Sequence, residues 1–441
     1  MTTLVHKRLS QICRGIVPDG YKKTRKGIIP EQWEVRTIGD IATVSSGSTP
    51  NRAEPRYWQG NIPWVTTGEL AAGLVTSAGE HITEVALEET NLKVYPAGTL
   101  LMAMYGQGKT RGTTALLGID AAINQACAAI RLKEGSAKYL FYVLQASYEN
   151  IRRLSNVGNQ ENLNAEIINA YPIVWPSPKE QRKIANILAT QDKILDLWNQ
   201  KIDQMRLLKT LCLRKMFPLA GREVPEVRFS GFSGTWNWRK VKDVFNPLQN
   251  TPLPRSELSE THGIVGNIHY GDILTKFPED LDLSRESLPF IRDNNIASRY
   301  SASLLQEGDV IMADTAEDEL VGKCCEVNGI TTQKVLAGLH TIPLRPIIHF
   351  VPRYLGYYMN TPSFHRQLIP LMQGIKVTSL AKHSLLRTNI SFPKSRREQS
   401  KISQFFHVVD SIIALCQRRR DAEEQKKKAL MQLLLTGVVR V

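Results

Sequence analysis

The run MAMYGQGKTRGTT, Met102 to Thr114, gathers glycines, a lysine, an arginine and two planar polar groups within a few residues. Written as Ala103-x-x-x-x-Gly108-Lys109-Thr110, it satisfies a relaxed phosphate-loop pattern. A working phosphate loop needs a strand, the loop, and a helix beginning at the lysine, so that backbone N–H groups meet the phosphates. Residues 100–104 could supply the strand. After Thr110 the chain continues as Arg111-Gly112-Thr113-Thr114, with Gly118 close behind, which reads as turn and strand. Asp120, the acidic candidate for a magnesium partner, arrives too soon for a helix to intervene. Two other uses remain open. Tyr105, Gln107, Lys109 and Arg111 offer groups for base edges and a cation for phosphate, with glycines permitting close backbone approach. The stretch could equally be a structural turn that happens to be basic.

Other polar groups invite the same question. Asn267, His269 and Tyr270 in GNIHYGD, with Lys323, are contact candidates, although Tyr and His also serve as core residues. Gln160 and Asn162 lie in one polar loop, NVGNQENLN, and Lys376 and Thr378 in another, QGIKVTSL. Each could position a ligand, or could cap or close a turn. Metal chemistry finds no support: the six cysteines are scattered or adjacent (Cys324, Cys325), and the nine histidines form no ligand spacing. A Pro-Pro pair, expected in the loop with which an adenine methyltransferase holds its base, is absent.

The elements that would position these residues occur twice. Trp33 falls on Trp236, and Asp40 on Asp243, at an offset of 203. Gly98 falls on Gly308 at 210, Tyr139 on Tyr354 at 215, and Glu180-Gln181 on Glu398-Gln399 at 218. The anchors stay collinear while the offset creeps upward, as in a tandem duplication of units of roughly 200 residues, each large enough for its own domain. Within a copy, short apolar runs alternate with Gly, Asn, Pro and Thr turn signals and a helix or two, and then about 40 residues without internal Gly or Pro read as one helix.

In the first of these helices a strict 4-3 spacing selects Ile184, Leu188, Gln191, Leu195, Trp198, Ile202, Met205, Lys209, Cys212 and Met216, a coiled-coil seam. The second begins alike, with Ile402, Phe406, Val409, Ile413 and Cys416, and ends on Leu430 and Leu434. Its middle, QRRRDAEEQKKK, puts Arg420, Glu423 and Lys427 on the seam, as a solvated interruption or a surface for another protein. Two such helices, each about 58 Å at ~1.5 Å per residue, can pair antiparallel. The expected architecture is α/β (α+β): two similar globular domains joined by an antiparallel coiled-coil spacer, with pseudo-two-fold tandem symmetry. Its parts are a basic N-terminal arm (1–27), a first domain (28–178), a central helix (179–220), a second domain (221–393) and a C-terminal helix (394–441). Seam residues such as Trp198 and Phe406 are expected to be exposed in the chain alone.

The net charge of +14, with pI ≈ 9.4, suggests a polyanionic partner, most often nucleic acid, or else merely a solvated basic surface. No apolar run approaches the ~18 residues of a membrane span, and the N-terminus lacks a secretory h-region, so the expected location is cytoplasmic. YKKTRKGIIPEQWEVRTIGDI before the first unit, VPEVRFSGFSGTWNWRKVKDV before the second, and PKEQRKIANIL opening the helix closely resemble the specificity subunit of type I restriction-modification systems. The resemblance runs from about Tyr21 to Leu435. It implies that each domain is a target recognition domain reading one half of a split double-stranded DNA target, and that the helices set the gap and dock two adenine-N6 methyltransferase subunits. A motor-nuclease subunit then joins the complex. On this reading the chain is no enzyme: it binds no cofactor itself, and S-adenosylmethionine, magnesium and ATP belong to partner subunits. The rival readings are a nucleotide hydrolase using Ala103 to Thr110 and a protein-interaction adaptor.

Overall fold

A computed structural model describes residues 3–106, 108–154, 162–317 and 320–441. The chain divides into two compact units, Met1–Trp198 with Arg419–Val441, and Asn199–Arg418. The division runs through both long helices, Pro178–Lys215 and Arg396–Leu435. Each unit therefore contains one globular domain and a segment of each helix.

The same sheet is built in both units. In the first, the strand order is Ala42–Ser46, Cys127–Leu132, Leu100–Ala103, Thr114–Leu117 and Leu74–Val75, antiparallel except for the last pair. In the second it is Phe245–Pro247, Thr341–Pro346, Val310–Ala313, Cys324–Asn328 and Asp280–Asp282, again with one parallel pair at the end. Met102 faces Thr114 in one register, and Met312 faces Cys324 in the other. Beside each sheet a short antiparallel pair ties the entry of the domain to its exit: Glu34–Thr37 with Pro172–Trp175, and Asn237–Lys240 with Asn389–Phe392. The central strands, Leu100–Ala103 and Val310–Ala313, are buried along their whole length, as apolar runs covered on both faces must be.

The Glu-Gln pair that opens each helix is buried and committed to the fold. Glu180 accepts from Trp33 Nε1 (2.9 Å) and from Arg440 Nε (2.6 Å) and Nη2 (2.9 Å). Glu398 accepts from Arg228 Nε (2.7 Å) and Nη2 (2.8 Å). Gln181 donates to the Pro176 carbonyl (2.8 Å) and accepts from Ser136 N (2.9 Å), while Gln399 donates to Pro393 and accepts from Val351 N. These repeated motifs thus join the start of a long helix to the domain that precedes it. The copies differ at one helix start. Ser136 caps Ala137–Ala146 in the first, whereas in the second buried Glu326 accepts from Arg353 N (2.6 Å) and Gly356 N (2.9 Å). Burial pushes the Glu326 carboxyl up to about 8 despite those donors.

Within each unit the helix segments run antiparallel. In the first unit Gln191 bonds Glu423 and Asp192 pairs with Lys427 (2.5 Å), while Glu180 meets Arg440 beyond the helix end. In the second, Lys209 pairs with Asp410 (2.8 Å) and Phe217 stacks on Phe406 (5.9 Å between centroids). Ile184, Leu188, Ile202, Ile402, Phe406 and Val409 are buried; Leu195, Trp198, Met205 and Ile413 are half-buried. The expectation that Phe406 is exposed is corrected: its ring also packs on Tyr357 and joins the second domain's core.

The charged middle of the C-terminal helix is exposed over most of its length, as a solvated interruption would be, while its seam positions Arg420, Glu423 and Lys427 are half-buried. Lys427, with Asp192 and Tyr142, forms a closed polar cluster: Tyr142 Oη donates to Asp192 (2.6 Å), and the ammonium lies 5.6 Å from the tyrosine ring. The second unit repeats it as Lys209, Asp410 and Tyr357, with Tyr357 Oη donating to Asp410 (2.8 Å) and Lys209 5.5 Å from the ring. The seam's two lysines are therefore equivalent positions, 218 residues apart. Lys209 also reaches Glu279 (2.9 Å). The segment expected as a basic arm contains a helix, Thr3–Cys13, and a hairpin of Tyr21–Thr24 with Gly27–Pro30, tied to the C-terminus by Tyr21 Oη to the Gly437 carbonyl (2.7 Å) and Arg8 to the Val438 carbonyl (2.7 Å).

Lys209→Met removes the cation from two carboxylates that are largely shielded from water. The expected loss is roughly 2 kcal/mol at pH 7 by equilibrium denaturation, between the surface-pair and buried-pair ranges. Burial already raises the Asp410 carboxyl, with Lys209 opposing it, so without the lysine it rises further. A carboxyl whose folded pKa is raised destabilises the fold above that pKa, and protonation relieves the penalty as pH falls. The gap between wild type and variant should narrow as pH falls from 7 into the ordinary carboxylate range near 4; a gap constant across that whole range would contradict the pairing.

Candidate nucleic-acid interface

In the first domain, residues 104–113 connect the antiparallel neighbours Leu100–Ala103 and Thr114–Leu117. Gly112 N donates to the Ala103 carbonyl (2.8 Å) and Ala103 N to Thr113 (2.9 Å), closing a hairpin. No helix starts at Lys109, so the N-terminal dipole and converging N–H groups of a phosphate loop are not built here. Gly106, Gly108 and Gly112 adopt φ of 132°, 61° and 84°, which is why the loop is glycine-rich. It rests on the helix Tyr148–Arg152: Tyr148 Oη donates to the Lys109 carbonyl (2.6 Å), and Arg152 Nη1 to the Arg111 carbonyl (3.1 Å). The backbone of the loop is held while the Lys109 side chain stays exposed and Tyr105 is 38% exposed. Arg111, an expected base contact, is buried at 7% exposure, and its side chain does not stand out from the loop as that of Lys109 does. Gln107 lies outside the described residues, as does Gln160.

The polar loop expected as a second contact element meets this one. Leu163 N donates to the Met104 carbonyl (3.0 Å), bringing half-buried Asn162 beside the base of the Tyr105–Lys109 loop. Asn164, its neighbour, caps the helix Ala165–Ala170 through Ile167 N (2.8 Å). A third strand turn joins them, since Met104 N donates to the Ala126 carbonyl (2.8 Å).

The second domain reproduces this frame. Gly322 N donates to Ala313 (2.9 Å), Leu380 N to Asp314 (2.7 Å), and Asp314 N to His340 (3.0 Å). The side chains on the frame are different. Asp314 and Thr315 replace the glycine-lysine chemistry, and Thr315–Ala316 pairs with Thr378–Leu380. Thr378 is thereby half-buried in a strand. Lys376 is exposed at the tip of the hairpin formed with Met372–Gln373, beside fully exposed Ile375. Gly374 has φ 123°, and a Cβ there would lie 1.9 Å from the Val377 carbonyl oxygen, so the tip requires glycine.

Three expected contacts of this domain move inward. Asn267 is fully buried and donates to Thr251 Oγ1 (3.0 Å), bracing a sheet. His269 is nearly buried, and its Nδ1 accepts from Gly271 N (3.2 Å), capping the helix Tyr270–Thr275; burial lowers its pKa. Lys323 is half-buried and donates to the Leu274 carbonyl (3.0 Å). Tyr270, half-buried, stays with the frame because its ring sits edge-on to His340 at 5.2 Å. Sequence reading missed His340, Tyr148 and Arg152; the local signal for His340 is only a Gly-Leu-His turn between two apolar strands. Among the described residues there is no group of three metal-ligating side chains, and no helix is long and apolar enough to cross a membrane.

Comparison with known proteins agrees with the duplication. Residues 30–206 and 233–424 match the family described as the type I restriction modification DNA specificity domain. The type I restriction enzyme MjaIX specificity subunit of Methanocaldococcus jannaschii is 34% identical over 199 residues, 44% of this chain and 45% of that protein. The MjaVIII specificity subunit of the same organism is 21% identical over 435 residues, 96% of each chain. In fold, the chain resembles the S subunit of a type I restriction-modification system from M. genitalium (TM-score 0.54, 15% identity, 95% of this chain and 99% of that one). It also resembles a chain from a structure describing assembly and conformational transition of the type I R-M system (TM-score 0.58, 16% identity, 93% and 99%). With one match in each half, covering most of its length, the chain belongs to the type I restriction modification DNA specificity domain family.

Proposed function

We propose that this DNA-specificity chain reads a split, asymmetric target, one half by each domain, and itself catalyses nothing. One observation carries the reading: the two domains hang their loops from equivalent backbone bonds but present different chemistry on them. The first offers Tyr105 and Lys109 on a glycine-rich loop with Asn162 beside it. The second offers Tyr270, Asp314 and Lys376, with Thr378 supporting the hairpin. A shared frame with dissimilar reading groups suits two different half-sites, and bases are distinguished by such polar edges in the major groove. Lysines at the loop tips suit phosphate contacts that set register. Gln107 and Gln160 remain proposed contacts on sequence alone.

The long helices, on this proposal, set the unread gap and receive two adenine-N6 methyltransferase subunits, with a motor-nuclease subunit completing the complex. S-adenosylmethionine, magnesium and ATP would act on those subunits. The chain would work in the cytoplasm, where its DNA is.

Footprinting of the chain with its methyltransferase subunits should show two protected blocks separated by unprotected base pairs; one continuous block would overturn the proposal. Lys109→Ala should weaken binding several-fold for all sequences and lower the slope of log affinity against log salt by about 1. Neither wild type nor variant should turn over ATP through this chain. Hydrolysis that disappears in Lys109→Ala would revive the phosphate-loop reading, and binding to DNA insensitive to salt would favour the adaptor.

A further inference from the structure

In the second domain one side chain touches Tyr270 as well as Asp314 and Thr315 of the proposed interface. His340 lies in the turn between Lys334–Ala337 and Thr341–Pro346. Its φ of 54° puts a non-glycine residue in the left-handed region, where histidine is tolerated better than most but still costs free energy. Of the other two non-glycine residues with positive φ among those described, Arg353 has a structural reason, since its N–H donates to buried Glu326. For His340 the backbone role, accepting from Asp314 N, is met in the first domain by Ala126 with no such strain. The frame therefore needs the carbonyl at this position and does not need the imidazole.

The ring is held in one orientation. Its side chain is 47% exposed, with Tyr270 edge-on at 5.2 Å on one side. Nδ1 lies 3.3 Å from Thr315 Oγ1 and 3.5 Å from Asp314 Oδ1. Thr315 spends its own proton on Asp314 (2.7 Å), so its oxygen can only accept from the ring. In the neutral ring that chain of donors places the imidazole proton on Nδ1 and leaves Nε2 as an acceptor, with no hydrogen-bond partner among the described residues.

We infer that His340 is a specificity-determining residue of the second domain, its Nε2 accepting from the exocyclic amino group of a base. In the major groove such groups are N4 of cytosine and N6 of adenine, so the position it reads is C or A on the contacted strand. The equivalent Ala126 has no such group, and the first domain reads nothing through that position. This rests on the proposal that each domain reads one half of a split target.

The test is genome-wide mapping of methylated adenine in cells carrying the full chain with its methyltransferase subunit. Wild type, His340→Asn, His340→Ala and His340→Gly are compared, each checked by thermal melting. The glycine variant keeps the turn, and asparagine also tolerates positive φ. The result expected is one position, C or A in wild type, relaxing by about tenfold or more in one half of the motif, with the other half unchanged. Base frequencies identical to wild type in all three variants overturn the inference, as does a uniform fall in methylation without any change of preference. Failure of the underlying proposal looks different: the wild-type chain itself then yields no split motif.

Discussion

A carboxylate on each long helix, Asp192 in one unit and Asp410 in the other, accepts from a tyrosine of the adjacent domain and pairs with a lysine of the opposing helix. An apolar seam with regular 4-3 spacing does not by itself fix register, because sliding by one heptad restores similar contacts. A partly buried charge that loses its partner costs about 2 kcal/mol, between the surface-pair and buried-pair ranges, so these polar clusters discriminate between registers where leucines cannot. They also tie helix register to domain orientation within each unit, since Tyr142 and Tyr357 belong to the domains. The Glu-Gln pairs then fix the start of each helix against its own domain.

Much of the frame was legible in the sequence because duplication exposes it. Trp33 and Trp236, Tyr139 and Tyr354, and the Glu-Gln pairs recur in order because each is buried in a job that both copies need. The polar clusters were not legible. Each draws on three segments, such as Tyr142, Asp192 and Lys427, and a helix read alone shows only that a charge interrupts the seam. Phe406 was misplaced for a related reason: spacing shows that it faces inward on the helix, but its partners, Phe217 and Tyr357, come from elsewhere in the chain.

For the proposed interface, glycine patterns in the sequence marked loops between strands more reliably than they marked which side chains stay exposed. Glycines at positive φ advertise a loop between two strands, and Gly106, Gly108, Gly112 and Gly374 do so here. Which polar groups on such a loop face outward depends on contacts that no local pattern encodes. Asn267, His269 and Arg111 carry suitable groups but turn inward, whereas Lys109 and Lys376 stay outside. The division that emerges is between a frame held by backbone bonds, the same in both copies, and side chains free to diverge on it.

That division is tested most directly by replacing residues 233–393 with residues 30–176 and mapping adenine methylation with the methyltransferase subunit present. If each copy reads through its own loops on an interchangeable frame, the hybrid's motif should carry the first domain's recognition bases in both halves. A hybrid that folds and methylates but keeps the original second half would show that the reading groups lie outside the exchanged domain.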